Sequence, residues 1–518
     1  MSTVTSGKEA EGSTDSSRAG TGQTEQQTGQ GTGKPGKPGE SGKPSAAEAA
    51  AAAVAAARGV FDSGATRSLD WRVSRLRDLQ RMLTENTEEF LDALQQDLAK
   101  PVDESWLTEV GFTGTELSHT LKHLRRWLRP ERTTVPLALQ PASARIAYEP
   151  YGVVLIITPW NYPVQLALVP LIGALACGNT AVIKPSELAP AVSALLARLL
   201  PEYLGAAVQV VEGAVEETTE LLEQKFDYIF YTGNGAVGRI IMSAAARQLT
   251  PVTLELGGKS PVYVDETVDL RAAAARIAWG KYLNAGQTCV APDYLLATPH
   301  AKAELERLLP EAIADFFGPE PALSPDYSRI VNSRHHDRLM ALLDGATPVA
   351  GGDAKAEERY IAPTVLQAGP DDAVMQEEIF GPILPVLEVA GSEEAVSFIN
   401  QRDKPLAFYV FSRDRETRRA FTERTSSGAL CFGVPVAQLL VPGLPFGGVG
   451  PSGMGAYHGK NSIELFSHRK SILDKPLFPD TLKFIYPPFT PFKRQVITRL
   501  AARIGGGARA VQKRLKKR

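Results

Sequence analysis

The sequence predicts an α/β protein: a parallel, doubly wound sheet followed by a second α/β domain. From residue 151 onwards, short and continuously apolar segments alternate with segments of helical length. Continuous apolar runs of about four to eight residues are typical of parallel strands that are buried on both faces. With 518 residues, the chain is also long enough for more than one domain and a large core.

The part of the chain before the sheet is predicted to contain a tail and several helices. Residues 1–46 contain no Leu, Ile, Phe, Tyr or Trp, so they cannot offset the entropy of ordering, and we expect them to be disordered. An Ala-rich helix is predicted at 47–58. Apolar residues at spacings of three, four or seven predict one long amphipathic helix over 69–98, ending near Pro101. Residues 107–128 are also predicted to be helical.

Strands and helices then alternate along the chain. The predicted strands are 152–157, 180–183, 208–211 and 227–231, and the predicted helices are 164–176, 188–200, 216–224 and 236–247. A second cycle follows Glu255 and includes strands at 261–264 and 406–411. Ligands of such sheets bind beyond the carboxyl ends of the strands, so motifs at those positions are the candidates for function.

The composition favours a globular protein of the cytosol. Hydrophobic residues make up 43% of the chain and charged residues 22%, which is ordinary for a soluble protein. No apolar run reaches the roughly eighteen residues of a membrane span, and the N-terminus lacks the apolar core of a secretory signal. Three cysteines argue against a disulfide framework, and seven histidines show no metal-ligand spacing, so we expect no metal.

The charge is unevenly distributed along the chain. The formal net charge is −2, yet no acidic residue follows Asp480, and residues 493–518 carry ten Lys or Arg. An apolar stripe recurs between the basic residues at near-helical spacing: Val496, Ile497, Leu500 and Ile504. This pattern predicts weak contact with an anionic membrane surface through two short helices hinged at 505–507, and it does not indicate nucleic-acid binding. A solvated tail that aids solubility is the alternative.

Three groups in the sequence suit acyl chemistry through a covalent thioester. Cys289 lies among small and polar residues, whereas Cys177 and Cys431 lie in apolar runs and are interpreted as inert. Glu255 supplies a carboxylate and Asn161 a side-chain amide. A thiol, a base and an oxyanion donor are the groups that such a reaction needs.

Two further motifs follow predicted strands. The sequence from Gly233 to Gly238 has the pattern GxGxxG before a predicted helix, which favours a cofactor phosphate over a plain tight turn. The acidic residue expected about twenty positions later falls at Glu255, so the usual Rossmann binding mode is not predicted. In the run from Lys184 to Glu187, Ser186 is a plausible N-cap, and taken alone this structural interpretation is favoured over contacts with a ribose.

Together these residues resemble the aldehyde dehydrogenase superfamily from about residue 55 to about residue 488. The motifs that carry the resemblance occur in the family's order: TPWNYP at 158–163, KPSE at 184–187, ELGGKSP at 255–261, GQTC at 286–289, EEIFGP at 377–382 and PFGG at 445–448. The runs DYLL, SGMGAYHGK and FSHRK, together with Asn234, resemble the class 3 branch, which handles medium- or long-chain and aromatic aldehydes.

The resemblance implies roles for the residues named above. Cys289 would attack the aldehyde, Asn161 and the Cys289 N–H would hold the oxyanion, and Glu255 would activate water to release the acid. The cofactor would be NAD, with NADP tolerated, and the carboxylate of Glu187 would disfavour an added 2′-phosphate. The implied cofactor residues are Trp160, Lys184, Glu187, Gly233, Asn234, Gly238, Glu378 and Phe380.

The resemblance also implies the domain plan and the partners. It implies a Rossmann-like cofactor domain at 47–254, with an oligomerisation hairpin near 133–149, and a catalytic domain at 255–450. Residues 451–488 would include an oligomerisation strand, and 489–518 the basic tail. The expected protein is a cytoplasmic homodimer, peripheral to membrane at most, that oxidises an aldehyde to an acid. A semialdehyde or coenzyme A-acylating dehydrogenase is the alternative, and a catalytically inactive scaffold is another.

Overall fold

The computed structural model describes residues 44–504, and two large parallel sheets form its core. The predicted disordered tail lies outside the described residues except for its last three. There Ser45 accepts a hydrogen bond from the N–H of Glu48, and the helix Ala46–Asp62 begins. The Ala-rich helix predicted from the sequence is therefore confirmed, with a longer C-terminal end.

The long helix predicted over 69–98 is wrong as a single element, because the chain forms two helices, Leu69–Glu85 and Thr87–Leu98. They are separated by Asn86, whose Nδ2 donates a hydrogen bond of 2.8 Å to the Met82 carbonyl. An asparagine side chain that bonds to nearby backbone competes with helix propagation. The apolar spacing continues across the break, so periodicity alone could not reveal it.

Residues 107–128 are helical, as predicted. The helical segment begins earlier than predicted and contains an irregular turn. The short helix Val102–Ser105 continues through a π turn, Trp106–Val110, into the helix Gly111–Trp127. A π turn inserts one residue into a helix and often occurs at functional sites. Here the π turn contains Glu109, whose side chain is fully buried.

The six-stranded sheet contains all four strands predicted for the first half of the chain. Its strands, in spatial order, are Gly453–Met454, Val252–Glu255, Tyr228–Thr232, Val153–Ile157, Thr180–Lys184 and Val208–Val210. Only the pairing of the first two is antiparallel. The helices between the strands are Gln165–Cys177, Pro190–Leu204, Val215–Glu223 and Gly235–Gln248. Strands and helices alternate as the sequence indicated.

The seven-stranded sheet is the second α/β unit. Its strands, in spatial order, are Thr347–Ala350, Thr364–Gln367, Ile383–Glu388, Tyr294–Ala297, Pro261–Val264, Ala407–Phe411 and Ala429–Phe432. The first pairing is antiparallel and the others are parallel. The helices of this half are Leu270–Tyr282, Pro299–Phe317, Ser333–Ala341, Ser392–Asn400 and Arg415–Arg424.

A three-stranded antiparallel sheet joins the two segments predicted to serve oligomerisation. Ser143–Pro150 lies in the middle, between Glu131–Thr133 and Ser467–Asp474. Beyond it, the helix Pro491–Ile504 contains the first half of the predicted basic tail, and the second half lies outside the described residues. Over residues 44–504, no helix is both long enough and apolar enough to cross a membrane.

Candidate active site

A cavity of about 960 Å³ lies between the carboxyl ends of the six-stranded sheet and the segment that carries Cys289. All but one of the residues predicted for the site line it. They are Trp160, Asn161, Lys184, Glu187, Gly233, Asn234, Glu255, Cys289, Glu378 and Phe380. Gly238 is the exception. Residues that are more than two hundred positions apart in the sequence therefore line the same cavity.

The six-stranded sheet explains why these residues meet. The strands Val153–Ile157, Thr180–Lys184, Tyr228–Thr232 and Val252–Glu255 run parallel, so their carboxyl ends share one edge. Lys184 and Glu255 are the last residues of their strands. In sheets of this kind, ligands bind at that edge.

Cys289 follows a sharply bent turn, Leu283–Gly286. Asn284 and Ala285 both have a φ of 51°. Gly286 has a φ of 75°, and it lies so close to the Gly381 carbonyl that a side chain at position 286 would not fit. The thiol is half-buried. Burial, and then the negative charges of Glu378 and Glu255, raise the pKa of the Cys289 thiol far above its usual value. The thiol is thus protonated at neutral pH and needs a base.

The other two cysteines do not line the cavity. Cys177 is buried and lies 3.6 Å from the Ile463 carbonyl, and burial raises the pKa of this thiol to about 12. Burial also raises the pKa of Cys431 to about 11. The pKa of Cys289 is raised as well, so it is the position of these two thiols away from the cavity that agrees with their interpretation as inert.

Asn161 is buried, and its amide faces the segment that precedes Cys289. Its Nδ2 donates a hydrogen bond of 2.9 Å to the carbonyl of Gln287. An amide nitrogen carries two N–H donors, so the second remains for an oxygen atom in the cavity that Asn161 lines. This is the geometry expected of an oxyanion donor.

Glu255 is a buried carboxyl group at the end of its strand, only 2% exposed. Neither of its oxygen atoms has a hydrogen-bond partner among the described residues. Burial raises the pKa of the Glu255 carboxyl well above its usual value. A carboxyl group of raised pKa that faces a ligand cavity is a candidate general base.

Lys184 and Glu187 form an ion pair of 3.5 Å at the far end of the cavity. Lys184 is almost fully buried and also donates to the Pro185 carbonyl, and burial lowers the pKa of its ammonium. The interpretation of Ser186 as an N-cap is wrong, because the helix Pro190–Leu204 begins later and has Ala189 at its N-cap position. The Ser186 hydroxyl accepts from the Leu188 N–H in the preceding turn.

The glycine motif forms a strand-to-helix turn at the cavity wall. Gly233 packs against the Tyr231 phenol, where a side chain would not fit, and Asn234 caps the helix Gly235–Gln248 by accepting from the Val237 N–H at 2.9 Å. Gly238 instead faces Leu256, which a Cβ atom at this position would approach to 3.0 Å. In the structure, Gly238 allows the helix Gly235–Gln248 to pack closely on the sheet.

Aromatic rings close the cavity near Cys289. The rings of Trp160 and Phe380 are 5.4 Å apart in an edge-to-face arrangement, and His335 lies 5.3 Å from Trp160 on the other side. Sequence reasoning missed His335 and its helix neighbours Arg334 and Arg338, which also line the cavity. The helix Ser333–Ala341 carries no motif that would have pointed to these residues.

The lining fits a dinucleotide such as NAD(P). A helix N-terminus at Asn234, a buried cation at Lys184 and an acceptor at Glu187 suit phosphate and ribose groups. The aromatic end beside Cys289 suits a flat ring. No group of His, Cys, Asp and Glu suited to hold a metal ion occurs in the part of the chain that the structure describes.

Comparison with known proteins finds relatives that match most of the chain. The pattern of the aldehyde dehydrogenase family matches residues 36–472. The dimeric NADP-preferring aldehyde dehydrogenase of Rattus norvegicus is 48% identical over 435 residues, covering 83% of this chain and 96% of the relative. Aldehyde dehydrogenase family 3 member B1 of Homo sapiens is 47% identical over 443 residues, covering 85% of this chain and 95% of the relative.

Solved structures show the same fold. The substrate-bound state of Staphylococcus aureus AldH has a TM-score of 0.85 and 42% identity, covering 87% of this chain and 99% of the other. A mutant of the P. syringae indole-3-acetaldehyde dehydrogenase AldA, in complex with NAD⁺ and IAA, has a TM-score of 0.76 and 28% identity, covering 83% of this chain and 89% of the other.

The fold and the cavity are those of an α/β protein whose site can hold a dinucleotide. The chain belongs to the aldehyde dehydrogenase family, and its similarity to family 3 members confirms the class 3 resemblance. It is an enzyme that oxidises aldehydes with NAD(P).

Proposed function

We propose that the reaction proceeds through a thioester on Cys289. The thiol gives up its proton to a nearby carboxylate, and its sulfur then forms a bond to the aldehyde carbon. The carbonyl oxygen becomes an oxyanion, which the second N–H of the Asn161 amide and the backbone N–H of Cys289 would bind. The observation that carries this proposal is the convergence of Cys289, Asn161 and Glu255 on one cavity.

NAD(P), when bound, accepts the hydride that leaves the aldehyde carbon. Trp160 and Phe380 shield that end of the cavity from water, and Lys184 and Glu187 would hold the adenosine end. Glu255 has two oxygen atoms without a partner among the described residues, so it can take a proton from a water molecule that attacks the thioester. The carbon–sulfur bond then breaks, and the carboxylic acid leaves.

The decisive experiment compares the three cysteines. Cys289→Ala should abolish formation of acid from aldehyde, because no other described thiol reaches the cavity. Cys177→Ala and Cys431→Ala are matched controls and should keep at least half of the wild-type kcat. Mass spectrometry of wild type quenched during turnover should show an acyl adduct on Cys289. An active Cys289→Ala variant would disprove the proposal.

We propose that the substrate is an apolar aldehyde, of medium or long chain or aromatic. The segment between Arg424 and Lys460 contains no Asp, Glu, Lys or Arg. It reaches the nucleophile, because Gln438 donates at 3.4 Å to the Tyr409 hydroxyl, which in turn donates at 2.6 Å to the Val290 carbonyl. This segment therefore brings no cation near the residue that follows Cys289, and so no partner for the carboxylate of a semialdehyde. Comparing kcat/KM for hexanal, benzaldehyde and succinic semialdehyde tests this, and a preference for the last would contradict it.

We also propose that the protein is a homodimer. Ser467–Asp474 is an edge strand of eight residues, mostly exposed, with Leu473 58% exposed. A long free edge pairs readily with another strand unless it is covered, and the rat relative is described as dimeric. Light scattering during size exclusion should give about twice the 55.7 kDa chain mass. A monomer at micromolar concentration would contradict this.

A peripheral contact with anionic membrane from the cytoplasmic side is the last part of the proposal. Leu477 and Phe478 are 93% and 89% exposed, and the basic helix Pro491–Ile504 follows them. Full-length protein should sediment with anionic vesicles in low salt and not with neutral ones. A version ending at Thr490 should lose this binding and keep its activity. Equal sedimentation of both versions would contradict the contact.

A further inference from the structure

A fully buried ion pair lies behind Asn161. The Nζ of Lys100 is 2.6 Å from Oε1 of Glu109, and both side chains have no solvent exposure. Lys100 follows the end of the helix Thr87–Leu98, and Glu109 lies in the π turn Trp106–Val110. Replacing a buried ion pair with uncharged residues of similar volume is often neutral for stability. The pair is therefore not explained by folding alone.

Lys100 holds the backbone of the oxyanion donor. Its Nζ donates a hydrogen bond of 3.1 Å to the carbonyl of Asn161 and lies 4.1 Å from the ring centroid of Tyr162. The Asn161 carbonyl accepts a second hydrogen bond, of 2.7 Å, from Nδ2 of Asn284. Two donors thus fix the peptide that follows Asn161.

Glu109 holds the other end of the same segment. Its Oε2 accepts the N–H groups of Val164 and Gln165, at 2.9 and 3.1 Å. These donors lie at the start of the helix Gln165–Cys177, where a carboxylate interacts favourably with the helix dipole. The ion pair therefore clamps residues 161–165 at both ends.

The clamped segment is bonded directly to the chain that carries the nucleophile. Nδ2 of Asn161 donates to the carbonyl of Gln287, and the hydroxyl groups of Tyr162 and Thr288 are 2.7 Å apart. Gln287 and Thr288 are the two residues that precede Cys289. A shift of the clamp would move the Asn161 amide relative to the Cys289 N–H.

We propose that Lys100 and Glu109 are positioning residues that set the geometry of the oxyanion site. Neither residue lines the cavity, and both act through the segment that holds Asn161. Their effect falls on formation of the tetrahedral oxyanion, since a misplacement of about 1 Å can cost about a hundredfold in rate. This inference rests on the proposed function, because it needs Cys289 as nucleophile and Asn161 as donor.

The test uses the double variant Lys100→Met/Glu109→Gln, which removes both charges at similar volume. A single substitution would leave a buried charge without its partner and would confound the result with misfolding. Lys302→Met/Glu306→Gln is the matched control, because that ion pair, at 2.8 Å, lies on the helix Pro299–Phe317 away from the cavity.

Two reagents that need no cofactor distinguish a misplaced oxyanion site from a general loss of thiol reactivity. p-Nitrophenyl acetate acylates the thiolate through a tetrahedral oxyanion, which collapses when the carbon–oxygen bond breaks and p-nitrophenolate leaves. Iodoacetamide alkylates the same thiolate by displacing iodide, without an oxyanion. The double variant should lose ten- to a hundredfold in acylation rate while its alkylation rate stays within about threefold of wild type.

The melting temperature of the double variant and its Kd for NAD should stay near the wild-type values, and the control should match wild type in all four measurements. Unchanged acylation, or an equal loss with both reagents, would overturn the inference. If the double variant does not fold, Lys100→Gln/Glu109→Gln allows the same comparison of reagents. A wild-type enzyme that p-nitrophenyl acetate fails to acylate at Cys289 would instead overturn the proposed function.

Discussion

The carboxylate of Glu378 closes over Gly257 and occupies the space that a side chain at 257 would need. Gly257 lies two residues after Glu255, so the carboxyl groups of Glu255 and Glu378 both belong to this part of the cavity lining. The charges of both raise the pKa of the Cys289 thiol. The electrostatic environment of the thiol thus depends on whether these two carboxyl groups are protonated.

Glu378 should make stability depend on pH. Burial, and then the charge of Asp293, raise the pKa of this carboxyl from 4.5 to about 8. A raised pKa means that the folded state binds the proton more tightly, so this stabilisation is complete below pH 4.5 and is lost as the pH rises through 8. Glu378→Gln should therefore flatten the fall in melting temperature between pH 5 and pH 8. Glu377→Gln, at the neighbouring exposed position, should not, and identical curves for all three proteins would contradict the prediction.

Loss of the Asn161 amide should slow the reaction without weakening cofactor binding. One oxyanion donor contributes about 2.7–4 kcal/mol to lowering the barrier, so Asn161→Ala should reduce kcat by about a hundred- to a thousandfold. Stopped-flow measurement of reduced cofactor gives the rate, and quenching of tryptophan fluorescence gives the Kd for NAD. A variant within threefold of wild-type kcat would remove Asn161 from the oxyanion site.

Glu255→Gln should separate the two halves of the reaction. Without a proton acceptor for water, the thioester should persist, so the variant should release one equivalent of reduced cofactor per active site and then stall. Intact-protein mass spectrometry should find the acyl group, and Cys289→Ala/Glu255→Gln should carry none. Steady turnover at the wild-type rate would assign the base to another residue, with Glu378 the first candidate.

Glu187→Gln should shift the cofactor preference toward NADP. The Glu187 carboxylate is half-exposed at the cavity and would repel a 2′-phosphate next to Lys184. The ratio of kcat/KM for NADP to that for NAD should rise by about tenfold. Glu216→Gln, at an exposed position that does not line the cavity, is the control. No change in the ratio would place the ribose elsewhere.

The sequence predicted the alternation of strands and helices because buried parallel strands have a composition of their own. The Ala-rich helix is present, and every strand named from the sequence is present within two residues at each end. The break at Asn86 and the π turn at Trp106–Val110 were missed, because both preserve the spacing of apolar residues across an irregular backbone.

Cavity residues that lie in recognisable sequence motifs were predicted, and cavity residues outside such motifs were missed. Cys289, Glu255 and Asn161 were found because their types and flanking residues suit one reaction. Gly238 was expected at the phosphate, but in the structure it packs on Leu256, a distinction that a glycine pattern cannot make. His335 and the buried pair of Lys100 and Glu109 carry no local signal, since their neighbours come from other parts of the chain.

The strand Gly453–Met454 completes the sheet beside Glu255, with Gly453 directly opposite that residue. This strand follows Glu255 by about two hundred residues in the sequence, so the sheet edge beside Glu255 stays open during synthesis until that strand has been made. A chain cut short before residue 450 would contain Cys289, Asn161 and Glu255 but would lack the strand that pairs beside Glu255. We expect such an incomplete chain to be inactive, because the sheet edge beside Glu255 would remain open.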